Sequence, residues 1–214
     1  MSCCCPHARS ASRLFSFAAR RYRRRFERHG FERSQQQLMA GLALAGFGDA
    51  RVLEIGSGVG HLHQSLVEQG AASAVGIDLA PRMIDEARRW AADRGLAERT
   101  RYLEGDFMTL APEVPAADVV VLDKVVCCYP DADGLVHRSL EKAGRVYALT
   151  YPRDRWYVGL GAALATGAMK LVGSDFRPYV HQPERVEAWV RDAGFRKCHE
   201  ATTPIWLTQV FVRP

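Results

Sequence analysis

The sequence predicts a doubly wound α/β domain: a seven-stranded, mostly parallel sheet with helices on both faces, preceded by a helical arm. Three observations carry this. Short apolar runs alternate with helical periods through most of the chain, a glycine-rich turn follows the first of those runs, and an arginine-rich amphipathic stretch comes before them all.

The arm comes first. Residues 12–29 place Phe15, Ala18, Ala19, Tyr22 and Phe26 at helical spacing, with Arg20, Arg21, Arg23, Arg24, Arg25 and Arg28 around them. That pattern reads as an amphipathic helix docking its aromatic face on the domain. Contact of its arginines with nucleic acid or with a membrane surface is a second reading. Strands follow at Arg51–Ile55, Ala74–Asp78, Thr100–Glu104, Asp118–Leu122 and Arg145–Thr150, with helices at Gly60–Gln69, Pro81–Arg94, Asp131–Lys142 and Trp156–Leu171. A helix at Pro183–Ala193 opens on a proline, which suits a first turn. Strands at Phe195–Glu200 and Ile205–Val212 close the chain. The boundary between arm and domain is set at residues 40 and 41.

Bulk properties bound the rest. The 214 residues are 48% hydrophobic and 25% charged, which suits one globular core. The net charge of +5 is uneven: residues 1–33 hold nine Arg against Glu27 and Glu32, and the remainder holds 20 basic and 22 acidic side chains. The basicity therefore belongs to the arm, which argues against a nucleic-acid platform over the whole surface. The apolar run from Trp156 stops at Lys170, short of the roughly 20 residues of a spanning helix. The cysteines (Cys3-Cys4-Cys5, Cys127-Cys128 and Cys198) are clustered too closely to bridge, and Arg9 and Arg13 interrupt any secretory core. Both features point to a reducing, cytoplasmic setting. An organelle transit peptide is the minority reading of the acid-free first 26 residues. Cys3-Cys4-Cys5-Pro-His7 reads as a frayed terminus; a metal site and lipidation are its alternatives.

In doubly wound sheets ligands bind beyond the carboxyl ends of the strands. The residues there are Glu54, Gly56, Gly58 and Gly60 in VLEIGSGVG, then Asp78 and Leu79, then Gly105-Asp106-Phe107, then Asp123 in LDKVVCCYPD. Glycines admit a sharp turn and close approach of a ligand, and an acid after the second strand can take both ribose hydroxyls. The third glycine is one residue early for a dinucleotide fingerprint, and no G-K-[ST] follows for a phosphate loop.

E-x-G-x-G-x-G, an acid 24 residues after Glu54, and Gly-Asp-Phe together resemble the class I S-adenosylmethionine-dependent methyltransferases. The resemblance covers about residues 40–214 and implies a Rossmann-like fold with S-adenosyl-L-methionine as cofactor. It implies Gly56, Gly58 and Gly60 at the methionine end, with Glu54 orienting the amino group. Asp78 would hold the ribose beside Leu79, Asp106 and Phe107 the adenine, and Asp123 would lie near the sulfonium. RFERHGFER, LDKVVCCYPD, LTYPRDRWY and RPYVHQPERVEAWVRDAGF further resemble magnesium-protoporphyrin O-methyltransferases and a branch of bacterial methyltransferases carrying Cys-Cys-Tyr-Pro. Where the former read His-Tyr-Pro this chain reads Cys128-Tyr129-Pro130, and a usual Tyr falls on Arg25, so a smaller or differently charged acceptor is expected. The implied function is methyl transfer to O or N of a small, carboxylate-bearing molecule; an RNA-directed enzyme is the alternative. Candidates at the reacting end are His181, Tyr129 and Cys128, with Tyr151, Arg153, Trp156 and Arg177 bordering the same pocket. Cys127 and Cys128 read as a soft pocket wall, not as metal ligands, and no metal is expected. His61 and His63 are expected to pack.

Overall fold

The computed structural model describes residues 6–214, with side chains from Ala8 onward. The triplet Cys3-Cys4-Cys5 therefore lies outside the described residues. Two helices come first, α1 (Pro6–His29) and α2 (Arg33–Ala45). The alternating part then runs β1 (Arg51–Ile55), α3 (His61–Glu68), β2 (Ser73–Asp78), α4 (Pro81–Asp93), β3 (Thr100–Glu104), α5 (Phe107–Leu110), β4 (Ala117–Asp123), α6 (Ala132–Leu140) and β5 (Ala143–Pro152). After α7 (Trp156–Leu171) and α8 (Pro183–Asp192), β6 (Arg196–Thr202) and β7 (Trp206–Val212) complete it. Among the described residues no helix is long and apolar enough to cross a membrane.

The strand order is β3-β2-β1-β4-β5-β7-β6. Strands β1 to β5 pair in parallel, and β7 enters antiparallel between β5 and β6. The order reverses between β1 and β4, so the crevice lies beyond their carboxyl ends. The central strands are buried on both faces, as the runs Val119–Leu122 and Val146–Leu149 require. One apolar cluster fills the side of α6 and α8, and a second fills the side of α2, α3 and α4.

Every expected strand is present to within two or three residues. The short α5 was not foreseen, and neither was α2 as a separate helix. Helix α2 packs on β5, β6 and β7, with Leu38 and Leu42 fully buried beside Val146 and Val210. The expected boundary at residues 40 and 41 therefore cuts a helix that belongs to the sheet domain. The break in the chain is Gly30, at φ +67°, between α1 and α2.

Helix α1 lies on α4. Phe15, Ala19 and Phe26 pack with Val59, Met83 and Trp90, the Ser12 hydroxyl donates to the Leu79 carbonyl, and Arg23 reaches Glu86 and Asp93. This is the aromatic docking face read from the sequence.

Candidate active site

A cavity of about 620 Å³ opens beyond the carboxyl ends of β1 to β4, with α1 as one wall. Its floor is the turn after β1. Gly56, Gly58 and Gly60 hold φ of +68°, +53° and +80°, values that favour glycine. A Cβ on Gly56 would sit 2.3 Å from Val125 Cγ2, whereas one on Gly58 would meet nothing within 4 Å. The backbone is packed on one side of the turn and open on the other.

Asp78 closes the end of β2. Its Oδ2 accepts from Gly58 N–H and its Oδ1 from Ala80 N–H, both at 2.8 Å. Each oxygen keeps a lone pair for a further donor. Burial pushes this carboxyl up to about 6, against the pull of the two N–H groups. A raised acid binds more protons folded than unfolded, so the ligand-free chain should lose stability as pH rises from about 4 to 6 and level off above. Affinity for a hydroxyl-donating ligand should move the other way, falling by up to about tenfold per unit below pH 6. Calorimetric titration with S-adenosylhomocysteine at pH 5 and pH 8 checks this, and equal affinities would refute it.

Glu54 is buried at the end of β1. Its Oε2 accepts from His63 N–H at 3.2 Å and lies 2.5 Å from His63 Nδ1, while His63 Nε2 stands 3.1 Å from the Tyr102 hydroxyl. His63 thus packs, as expected. At the far end Asp106 caps α5 through Met108 N–H and takes the hydroxyl of Tyr129. Burial, then Asp106, holds that phenol well above its ordinary value.

At the other end, after β4, Asp123 Oδ2 accepts from Gln35 Nε2 at 2.8 Å, and its buried Oδ1 makes no hydrogen bond. Burial raises its pKa, opposed by Lys124 and Gln35. Lys124, at φ +60°, pairs with Glu32, which also takes Arg25 at 3.4 Å. Gln35 Nε2 also lies 2.7 Å from His61 Nε2, and burial lowers that imidazole to about 4. His61 therefore stands neutral on the cavity wall between Phe26 and Phe31.

The structure brings together Glu54, Gly56, Gly58, Asp78, Leu79, Asp106, Phe107, Asp123, Cys128 and Tyr129 around one cavity, whereas Gly60 does not line it, since a Cβ there would meet Gln64 and His63 of α3. It does not bring His181 there. That imidazole contacts the Val126 carbonyl at 3.2 Å and lines a small neighbouring pocket with Arg185 and Trp189. Burial lowers its pKa. Arg153 donates to Thr203, Arg177 to the Tyr179 hydroxyl, and Tyr151 is buried against Gln209. Trp156 is exposed to solvent, so these four residues do not border the cavity. Tyr129 does line it, but its hydroxyl is engaged at the Asp106 end. Cys127 is buried behind the wall with Sγ 3.3 Å from the Lys124 carbonyl, and Cys128 is the thiol on the cavity. Sequence reasoning missed Gln35, Glu32, Lys124 and Tyr22. Lys124 stood beside Asp123, a usable signal; Gln35 had none, because α2 was not read as a helix.

A glycine turn after β1, an acid after β2 and a cavity over the switch point define a Rossmann-like domain that binds a nucleoside cofactor. The comparisons agree. A family model described as "Methyltransferase domain" matches residues 52–147. The ubiquinone biosynthesis O-methyltransferase of Pseudomonas paraeruginosa is 29% identical over 157 residues, 70% of this chain and 66% of that protein. The demethylmenaquinone methyltransferase of Thermus thermophilus is 32% identical over 152 residues, 65% of this chain and 67% of that one. The chain belongs to the S-adenosylmethionine-dependent methyltransferases. It spans about two thirds of the length of these curated relatives. Among solved structures, magnesium protoporphyrin IX methyltransferase from Synechocystis PCC 6803 with bound S-adenosylmethionine shares the fold. Its TM-score is 0.73 at 19% identity, over 97% of each chain.

The residues fit that cofactor. Gly58 leaves open space, each Asp78 oxygen keeps a lone pair for a further donor, and the buried Asp123 Oδ1 and Ser57 Oγ have no hydrogen-bond partner among the described residues.

Proposed function

We propose that the chain transfers the methyl group of S-adenosylmethionine to an oxygen or nitrogen of a small molecule bearing an acidic group. The observation that carries this is the extent of the cavity. It runs from Asp106 across the glycine turn to Asp123 and on to Tyr22, Arg25, Glu32, Lys124 and Cys128, and 620 Å³ is within the range of sites that enclose a drug-sized ligand. When bound, the cofactor supplies an electrophilic methyl group on a sulfonium.

In this reading Asp78 accepts from the ribose hydroxyls, Asp106 and Phe107 hold the adenine, and Glu54 with the glycine turn holds the methionine end. Helix α1 is the cap that excludes water from that space. The acidic acceptor is supported by the Arg25–Glu32–Lys124 group, an internal carboxylate held by two cations where the acceptor would sit. An acceptor anion can exchange for Glu32 there. The relative named for O-methylation favours oxygen. An ionised carboxylate needs no base; a hydroxyl would pass its proton to Asp123, whose free Oδ1 and raised pKa suit it to the task. Cys128 is the soft wall beside it.

Heat unfolding with S-adenosylhomocysteine tests the cofactor half. At 100 times its dissociation constant the ligand should add about 2.7 kcal/mol, and an unmoved midpoint at millimolar excess would sink the proposal. A screen of small acids for tritiated-methyl transfer, wild type against Asp78→Asn, tests the acceptor half.

A further inference from the structure

Helix α7 has the wrong surface for a helix on a protein in water. Such a helix buries one apolar stripe and turns charge outward. Of the sixteen residues of α7 only Val158 is buried, and the helix holds no acid and one base, Lys170. Its outward positions are apolar: Trp156 is 79% exposed, Leu160 52%, Leu164 67% and Leu171 90%, and Gly161, Ala163, Gly167 and Ala168 lie exposed between them. Trp156 and Tyr157 stand at one end and Lys170 near the other.

Helix α1 meets the segment that follows α7. The Ser10 hydroxyl meets Asp175 N–H at 3.2 Å, and Phe15 meets the Phe176 ring edge-on at 5.7 Å, just past the end of α7. Helix α1 adds exposed Leu14 and, at 88%, Phe17. Beside them Arg13, Arg21, Arg24 and Arg28 are exposed and form no ion pair among the described residues.

We infer that α7 and the outward face of α1 form a docking surface for an anionic lipid bilayer. Both halves of the pattern find a use there. The leucines of α7 enter the headgroup–acyl boundary, Trp156 and Tyr157 sit at headgroup level, Lys170 snorkels to phosphate, and the α1 arginines meet anionic headgroups. A nucleic acid would engage the arginines and leave the leucine face in water. A second copy would cover the leucines but set arginines against arginines across a twofold axis. Because α1 also walls the cavity, docking would hold the acceptor site against the lipid surface. The surface stands whether or not the acceptor proposed above is right.

The test is sedimentation of the full chain with phosphatidylcholine vesicles, with and without phosphatidylglycerol. Wild type should pellet with the anionic vesicles and bind neutral ones at least about tenfold more weakly. Leu160→Asp with Leu164→Asp should lose at least about tenfold in binding to anionic vesicles while keeping its thermal midpoint. Leu160→Ser replaces the pair if that variant fails to fold. Trp156 should account for a blue shift in emission with vesicles that Trp156→Phe removes. Failure to pellet would overturn the inference, and so would equal binding by the leucine variant. A dimer that the leucine substitutions dissociate, without vesicle binding, would assign the face to a second copy. Salt-dependent RNA binding without vesicle binding would assign the arginines to nucleic acid.

Discussion

Gly58→Ala should abolish tight cofactor binding while leaving the ligand-free fold close to wild type, and Gly56→Ala should damage the fold itself. Both residues hold positive φ, so alanine costs about 1–2 kcal/mol at either position. At Gly58 the added methyl meets no protein atom and projects into open space on the cavity wall. Its remaining effect falls on whatever occupies that space. At Gly56 the methyl would lie 2.3 Å from Val125, so the turn or the β4 loop must shift. Overpacking then adds to the backbone strain, for roughly 2–5 kcal/mol in total. Denaturant unfolding and calorimetric titration with S-adenosylhomocysteine, run on both variants, separate the two effects. Unchanged affinity in Gly58→Ala would show that the cofactor lies elsewhere.

Asp78→Asn should weaken S-adenosylhomocysteine by about 1.5–3 kcal/mol, roughly 10- to 150-fold, the range for hydrogen bonds to a charged group. The carboxylate also holds the N–H groups of Gly58 and Ala80, so it shapes the turn as well as lining the cavity. Alanine would strip both N–H groups of their acceptor, and its effect would mix folding with binding. Asparagine keeps one acceptor and removes a buried charge whose pKa is pushed to about 6, so ligand-free stability at pH 7.5 should change little. A variant that loses stability and affinity in equal measure would make Asp78 a structural residue.

The sheet and the half of the cavity built on the strand ends were legible in the sequence. Both are local in the chain. Strands buried on two faces show as unbroken apolar runs, such as Val119–Leu122, and residues just past each strand end reach the same crevice whatever their distance in sequence. Asp78, Asp106 and Asp123 could therefore be assigned to one cavity from their positions after β2, β3 and β4. The half of the cavity around Gln35, Glu32 and Lys124 was decided by tertiary structure alone, because it is built by elements that approach from outside the alternation. Gln35 reaches Asp123 across 88 residues, and Glu32 reaches Lys124 across 92, only because α2 lies against β5 and β7 and α1 lies on α4. Polar side chains on a helix carry no mark of the partner they will meet. His181 shows the converse. Its place in a family-like segment suggested the reacting end, but the chain between α7 and α8 turns its ring onto the Val126 carbonyl, outside the cavity. Position along a strand-led alternation fixes where a residue lies; position along a connecting segment does not, since packing and not hydrogen-bond register sets its course.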